Sequence, residues 1–132
     1  MVQDCERLQA LDQSAGERSE RLQHWCVTVD GRVAGSVGLE PSHDPGRSHV
    51  RVLGYWVAPR FQRRGAASAA VDALIATLPR GTRVEAHIFT GNEASAGVLR
   101  KSGFACFARA VDGYYVKGEM RLSADLFARE VQ

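Results

Sequence analysis

From Gln62 to Ala67 the chain reads Gln-Arg-Arg-Gly-Ala-Ala and runs straight into an alanine-rich segment. These residue types, at a helix start, can hold a phosphate. The first N–H groups of a helix have no intrahelical partner and point outward, and the helix dipole favours an anion there. Gly65 has no Cβ to hold a phosphate off the backbone. Ala66 and Ala67 stay small for the same reason, and Arg63 and Arg64 add positive charge. The stretch is neither G-x-G-x-x-G nor the Gly-Lys-Ser/Thr of a P-loop. Taken alone, it is equally well a helix start beside solvated arginines.

The flanking pattern supplies elements to position such a turn. Leu53-Gly54-Tyr55-Trp56-Val57-Ala58 reads as a strand stopped by Pro59, with Val50, Val52, Gly54 and Trp56 alternating. After the turn, Ala70, Val71, Leu74, Ile75 and Leu78 recur at helical spacing, and Pro79 and Gly81 end the run. Trp25, Val27 and Val29 alternate ahead of Asp30-Gly31, a two-residue hairpin signal, and Val33, Val37 and Leu39 return. Val84, Ala86 and Ile88 alternate with Glu85, His87 and Phe89. A short helix over 93–102 follows, with Asn92 as N-cap and Gly103 closing it. A last strand spans 119–127, where Met120, Leu122, Ala124 and Leu126 alternate, and Asp112-Gly113 is a turn signal ahead of it. Residues 2–22 read as helical, with Leu8, Leu11 and Leu22 as sparse apolar points. A buried helix crossing between two strands predicts a parallel pair inside a mixed sheet, an α/β (α+β) fold.

Whole-chain numbers narrow the function classes. At 132 residues the chain is expected to form a single domain over 1–132. A net charge of +2 is too small to argue for nucleic acid or a membrane surface. The group Arg60, Arg63 and Arg64 comes without an aromatic stacking platform. No apolar run approaches the roughly 20 residues of a membrane span. The odd set Cys5, Cys26 and Cys106 fits reduced thiols in a cytoplasmic protein, not a disulfide framework. His43, Asp44 and His49 fall in or beside one loop without a metal-ligand spacing, so no metal is expected.

A second motif raises the weight of the first. Asn92-Glu93-Ala94-Ser95 leads into Val98-Leu99-Arg100-Lys101-Ser102-Gly103-Phe104, directly after the next strand. Together with Gln62-x-x-Gly65-x-Ala67 and Gly54-Tyr55-Trp56-Val57-x-Pro59, it resembles the GNAT superfamily of acyl-CoA-dependent N-acyltransferases. The likeness is to the branch that includes ribosomal-protein N-terminal acetyltransferases, and it extends over residues 25–127.

The resemblance implies a mostly antiparallel mixed sheet flanked by helices, with a central parallel pair that splays. It implies acetyl-CoA as cosubstrate, its diphosphate on the amides of Arg63, Arg64, Gly65, Ala66, Ala67 and Ser68, with Gln62 opening the motif. The pantetheine arm would lie along the strand ending at Val57. Asn92 is similar to the residue that hydrogen-bonds that arm, and the N-cap role competes for the same side chain. Ser95 is similar to a serine placed to protonate the leaving thiolate, against a plain first-turn serine. The implied reaction is direct attack of a primary amine, on a protein N-terminus or a small molecule, on the thioester. An α-amine, with a reference pKa of about 8, needs less help than a lysine at about 10.4.

Three departures from the pattern matter. Arg100 stands where relatives carry a tyrosine acid. Val52 stands where many carry a carboxylate, which leaves Glu40, His49 and Glu85 as general-base candidates, and Tyr114 and Tyr115 as lining for the acceptor side. The segment before the first hairpin is short, so the usual first strand is expected to be missing. The acceptor pocket is then either open or completed by a second copy in a homodimer. The competing function is a catalytically silent CoA-binding module of the same fold.

Overall fold

The computed structural model describes residues 5–10, 23–62 and 65–132. Among the described residues, seven strands form one sheet in the order β1-β2-β3-β4-β5-β7-β6. They are β1 (Cys5–Ala10), β2 (Gln23–Val29), β3 (Arg32–Pro41), β4 (Arg51–Val57), β5 (Arg83–Phe89), β6 (Ala105–Lys117) and β7 (Met120–Glu130). Helix α1 (Ala66–Ile75) crosses from β4 to β5, and α2 (Glu93–Lys101) links β5 to β6. Every neighbouring pair is antiparallel except β4 and β5. The parallel pair inside a mixed sheet is the one the element pattern predicts, and the mostly antiparallel remainder is the one the family resemblance implies.

Local chemistry made several of these elements predictable. Asp30 and Gly31 both take positive φ, 50° and 75°, as the tight turn joining β2 to β3 demands. The Asn92 side chain accepts from the Ser95 N–H and caps α2. At its other end Gly103 takes φ 84°, the Phe104 N–H reaches back to the Leu99 carbonyl, and Phe104 is buried behind it. Both helices bury their apolar sides on one face of the sheet. Val71, Leu74 and Leu99 meet Val37, Leu39, Leu53, Val84, Ala86 and Phe127 in one core. Each such fully buried aliphatic side chain contributes roughly 1.5–3 kcal/mol.

Elsewhere the tertiary partner overrode the local signal. The helix expected over 2–22 gives way to a strand at 5–10, and 11–22 lies outside the described residues. Strand β1 pairs with the edge of β2, so a strand does precede the hairpin where none was expected. The unpaired N–H and C=O row of β2 satisfies this segment as well as helical bonds would. Asp112-Gly113 is not the turn. It lies inside β6, whose register shifts irregularly from Cys106 to Tyr115. Ala110, at φ 50°, and Gly113, at φ 63°, absorb those shifts, and Asp125 steadies the bulge by accepting from the Ala110 N–H at 2.8 Å. The hairpin closes instead at Gly118-Glu119, with Lys117 opposite Met120.

On two strands the helix-covered face is not the one that carries the alternating apolar set. On β4, Leu53 and Val57 are buried, while Gly54 and Trp56 of the alternating set are exposed. On β7, Phe127 pairs with Ala86 and shares its helix-covered face. Leu126 pairs with His87 on the opposite face.

Candidate active site

The parallel ladder between β4 and β5 has only three pairs, Arg51 with Val84, Val52 with Glu85 and Leu53 with Ala86. Beyond Leu53 the two strands splay. A cleft of about 860 Å³ opens there on the helix-covered side. Its walls are Tyr55, Trp56 and Val57 of β4, the turn and first residues of α1, and Asn92 to Ser95 at the start of α2. Two helix N-termini therefore face one cavity. Each presents first-turn N–H groups and the positive end of a dipole, which suits an anion.

Packing holds the α1 turn in place. Val29, Ala34, Val57, Phe61 and Ala66 form a small core beneath it, separate from the main one. Pro59 opens a single 3₁₀ turn, Pro59–Phe61, that drops Phe61 into this core. Gly65 is the N-cap of α1 at φ 79°, a conformation costly for any residue with a Cβ. Alongside, β3 approaches β4 closely: a Cβ built on Gly35 would lie 1.9 Å from the Trp56 carbonyl oxygen. The Ala58 N–H donates to the Ala34 carbonyl at 2.7 Å and fixes the end of β4.

The structure brings Val57, Gln62, Gly65, Ala66, Ala67, Ser68, Asn92 and Ser95 to this single cleft. Arg63 and Arg64 lie outside the described residues. Gln62 already has a task, since its Nε2 donates to the Val57 carbonyl at 3.0 Å and ties turn to strand. Asn92 spends Oδ1 on the cap, which leaves its amide nitrogen as the end suited to a ligand carbonyl. Tyr55, which local patterning did not single out, spans the splay: its hydroxyl donates to the Ser95 carbonyl at 3.2 Å. Burial raises the Tyr55 phenol above its ordinary range, only partly offset by that bond, so the hydroxyl stays protonated.

The three candidate bases separate sharply. His49 is exposed in the loop, and Glu40 is partly exposed and lies 3.8 Å from His43. Glu85 is different: its side chain is 3% exposed, on the sheet face opposite the helices. It pairs with Arg47, with Arg83 Nε at 2.8 Å and with His87 Nε2 at 3.1 Å. Burial alone would raise this carboxyl, but the bonds from Arg83, His87 and Arg47 outweigh it and hold it below the usual carboxylate range. His87 Nδ1 in turn meets the Tyr114 hydroxyl. Nothing local in the sequence links Arg47, Glu85, His87 and Tyr114; only the sheet does. Among the described residues, no three His, Cys, Asp or Glu side chains cluster as a metal site, and no helix is long and apolar enough to cross a membrane.

A strand–turn–helix that aims its amides into a splay between two parallel strands defines an acyltransferase of the GNAT kind. Residues 2–104 match the acetyltransferase (GNAT) family, and the chain belongs to it and is an N-acetyltransferase. It is 31% identical, over 109 residues, to the L-amino acid N-acetyltransferase AaaT of Escherichia coli (strain K12), covering 76% of this chain and 67% of that protein. Its fold matches that of RimL, a ribosomal L7/L12 alpha-N-protein acetyltransferase solved with coenzyme A. There the TM-score is 0.74 at 19% identity, over 86% of this chain and 64% of that one. It also matches an acetyltransferase of the GNAT family from Streptococcus pneumoniae, with a TM-score of 0.69 at 18% identity, over 86% of this chain and 69% of the other. This chain thus spans about two thirds of the length of each.

Proposed function

We propose that residues 1–132 form one N-acetyltransferase domain that takes acetyl-CoA as cosubstrate and acetylates the α-amine of an amino acid or of a protein N-terminus. The observation that carries this reading is the cleft where two helix N-termini meet the splay of β4 and β5. The fit to the coenzyme is physical. The αL Gly65 turn exposes the amides of Ala66, Ala67 and Ser68 to a diphosphate, with Arg63 and Arg64 adjacent in sequence. The edge of β4 up to Val57, unpaired beyond Leu53, suits an extended amide-bearing arm. The bound thioester supplies the activated acetyl group.

The residues then divide the work. A backbone N–H near Val57 serves the oxyanion, and Ser95 donates to the departing sulfur. Attack is direct, in a ternary complex, without an acyl-enzyme and without a metal. Both named relatives suggest an α-amine acceptor, AaaT on an amino acid and RimL on a protein. We place the protein in the cytoplasm, in keeping with the free thiols of Cys26 and Cys106.

Titration calorimetry with acetyl-CoA tests the site, and release of free thiol in the presence of L-amino acids and short peptides tests the reaction. Saturable binding with turnover on at least one α-amine is expected. Binding without turnover on any acceptor would instead favour the silent module, to which Val52 at a position often held by a carboxylate lends support. No binding at all would remove both.

A further inference from the structure

We propose that Tyr114, His87 and Glu85 form a proton relay that serves the acceptor amine, reached from the sheet face opposite the helices. This rests on the acetyl-transfer reading above. The parallel ladder stops at Leu53 and Ala86, so the next residues in step, Gly54 and His87, flank the point where the strands part. Among the described residues, a Cβ on Gly54 would meet nothing within 4 Å, so none of them covers that face beside the parting strands. A thioester held in the cleft presents its carbonyl to this gap, and an amine arriving from the open face meets the β6 side of it.

The side chains there are connected end to end. The Tyr114 hydroxyl meets His87 Nδ1, and His87 Nε2 lies 3.1 Å from Glu85 Oε1. The other Glu85 oxygen takes Arg47 and Arg83. Tyr115 fixes the His87 backbone by donating to its carbonyl at 3.1 Å, and packs edge-on against Tyr114 at 5.0 Å. Exposure follows the same order: Glu85 is 3% exposed at its side chain, His87 17%, and Tyr114 37% over the whole residue. Tyr114 is the end open to a substrate.

Among the described residues, other groups face these side chains from several elements. Arg47 and Asp44, 3.3 Å apart, come from the loop after β3. Arg83 comes from β5 and Tyr115 from β6, and Glu40 lies in the same cross-strand row, beyond Val52. The β7 partner of His87 is Leu126, which brings no charge. The ionised Glu85 accepts from His87 Nε2–H, which leaves Nδ1 as the acceptor for the Tyr114 hydroxyl. Burial raises the Tyr114 phenol, with Tyr115, Asp44 and Glu85 adding to the effect against Arg47, so that hydroxyl keeps its proton.

The step balances. The acceptor ammonium first gives one proton to the Tyr114 oxygen as the Tyr114 proton passes to His87 Nδ1, and Glu85 holds the resulting imidazolium through Nε2–H until it returns that proton to water. The neutral nitrogen then bonds to the acetyl carbon, the C–S bond breaks, and the nitrogen's second proton passes to the Ser95 oxygen as the Ser95 proton goes to the departing sulfur. His87 acts through Tyr114 and is a positioning and proton-holding residue.

Tyr114→Phe removes only the hydroxyl, and His87→Gln removes the proton acceptor. Each is expected to lower kcat/KM on a responsive α-amine by about 100-fold near pH 7, with acetyl-CoA affinity unchanged. The deficit should shrink above the amine's own pKa of about 8, where the acceptor arrives neutral. A deficit constant across pH, or none, overturns the relay. A second readout needs no acceptor: nitrogen NMR of His87 should show the neutral ring protonated at Nε2, and an Nδ1–H ring overturns the proposal. Wild-type protein that binds acetyl-CoA but turns over no amine would overturn the transfer reading and the relay with it. Turnover with an unchanged Tyr114→Phe profile would overturn the relay alone.

Discussion

Gly65→Glu probes the coenzyme cradle most directly, and its effect divides into two parts that can be measured apart. Gly65 sits at φ 79° and ψ 4°, as N-cap of α1. Any residue with a Cβ placed there loses roughly 1–2 kcal/mol of stability through the left-handed backbone. Gly65→Ala and Gly65→Glu share that loss. In urea, with a slope of about 1.5 kcal/mol per molar, both midpoints should fall by about 1 M. Only the glutamate adds a charge. A carboxylate about 7 Å from one phosphate charge, at an effective dielectric constant of about 20, costs roughly 2.4 kcal/mol. That corresponds to about a fifty-fold weaker acetyl-CoA dissociation constant beyond the alanine variant. Calorimetric titration of the two variants side by side gives the difference, with urea melts confirming that both are folded. If Gly65→Glu bound acetyl-CoA within about threefold of Gly65→Ala, the diphosphate would not lie at this turn.

Other perturbations address the remaining parts of the site. Ser95→Ala should lower turnover about tenfold or more with coenzyme affinity unchanged, read by thiol release and calorimetry; equal turnover would leave Ser95 as a first-turn residue only. Gly35→Ala would set a methyl 1.9 Å from the Trp56 carbonyl, so β3 and β4 must part. We expect a loss of about 3 kcal/mol or more in urea unfolding and weaker acetyl-CoA binding, because Val57 moves too. Glu85 makes stability depend on pH with a definite sign. Its folded pKa is depressed, so its contribution is complete above the ordinary carboxylate value of about 4.3 and is lost as pH falls through the folded value. Glu85→Gln should flatten this acid limb in urea melts across pH 2 to 5, and an unchanged limb would show that the Arg47 and Arg83 bonds contribute nothing there.

What could be read without the structure was local. The Asp30-Gly31 turn, the Asn92 cap, the Gly103 stop and the face of α1 that carries Val71 and Leu74 all follow from contacts within a few residues. The phosphate turn belongs to the same class, because a strand end, a glycine and a helix start are adjacent in the chain. So the turn residues Gln62 and Gly65 to Ala67 were available from the local pattern, the family resemblance added Val57, Ser68, Asn92 and Ser95, and the structure gathered them around one space.

What depended on partners distant in sequence could not be read this way. Residues 5–10 have no local reason to be a strand; the free edge of β2 provides one. Asp112-Gly113 carries the turn signal, yet the pairing with β7 decides that the chain bends at Gly118-Glu119. The order of strands decides more. It sets β5 beside β4 for three pairs and then apart, and it carries β6 past β7 so that Tyr114 can reach His87, 27 residues earlier. Short-range spacing determined where a phosphate could be held. Backbone pairing across the sheet decided which side chains stand over the gap beside it, because strand register, unlike helix periodicity, is written in two chain segments at once.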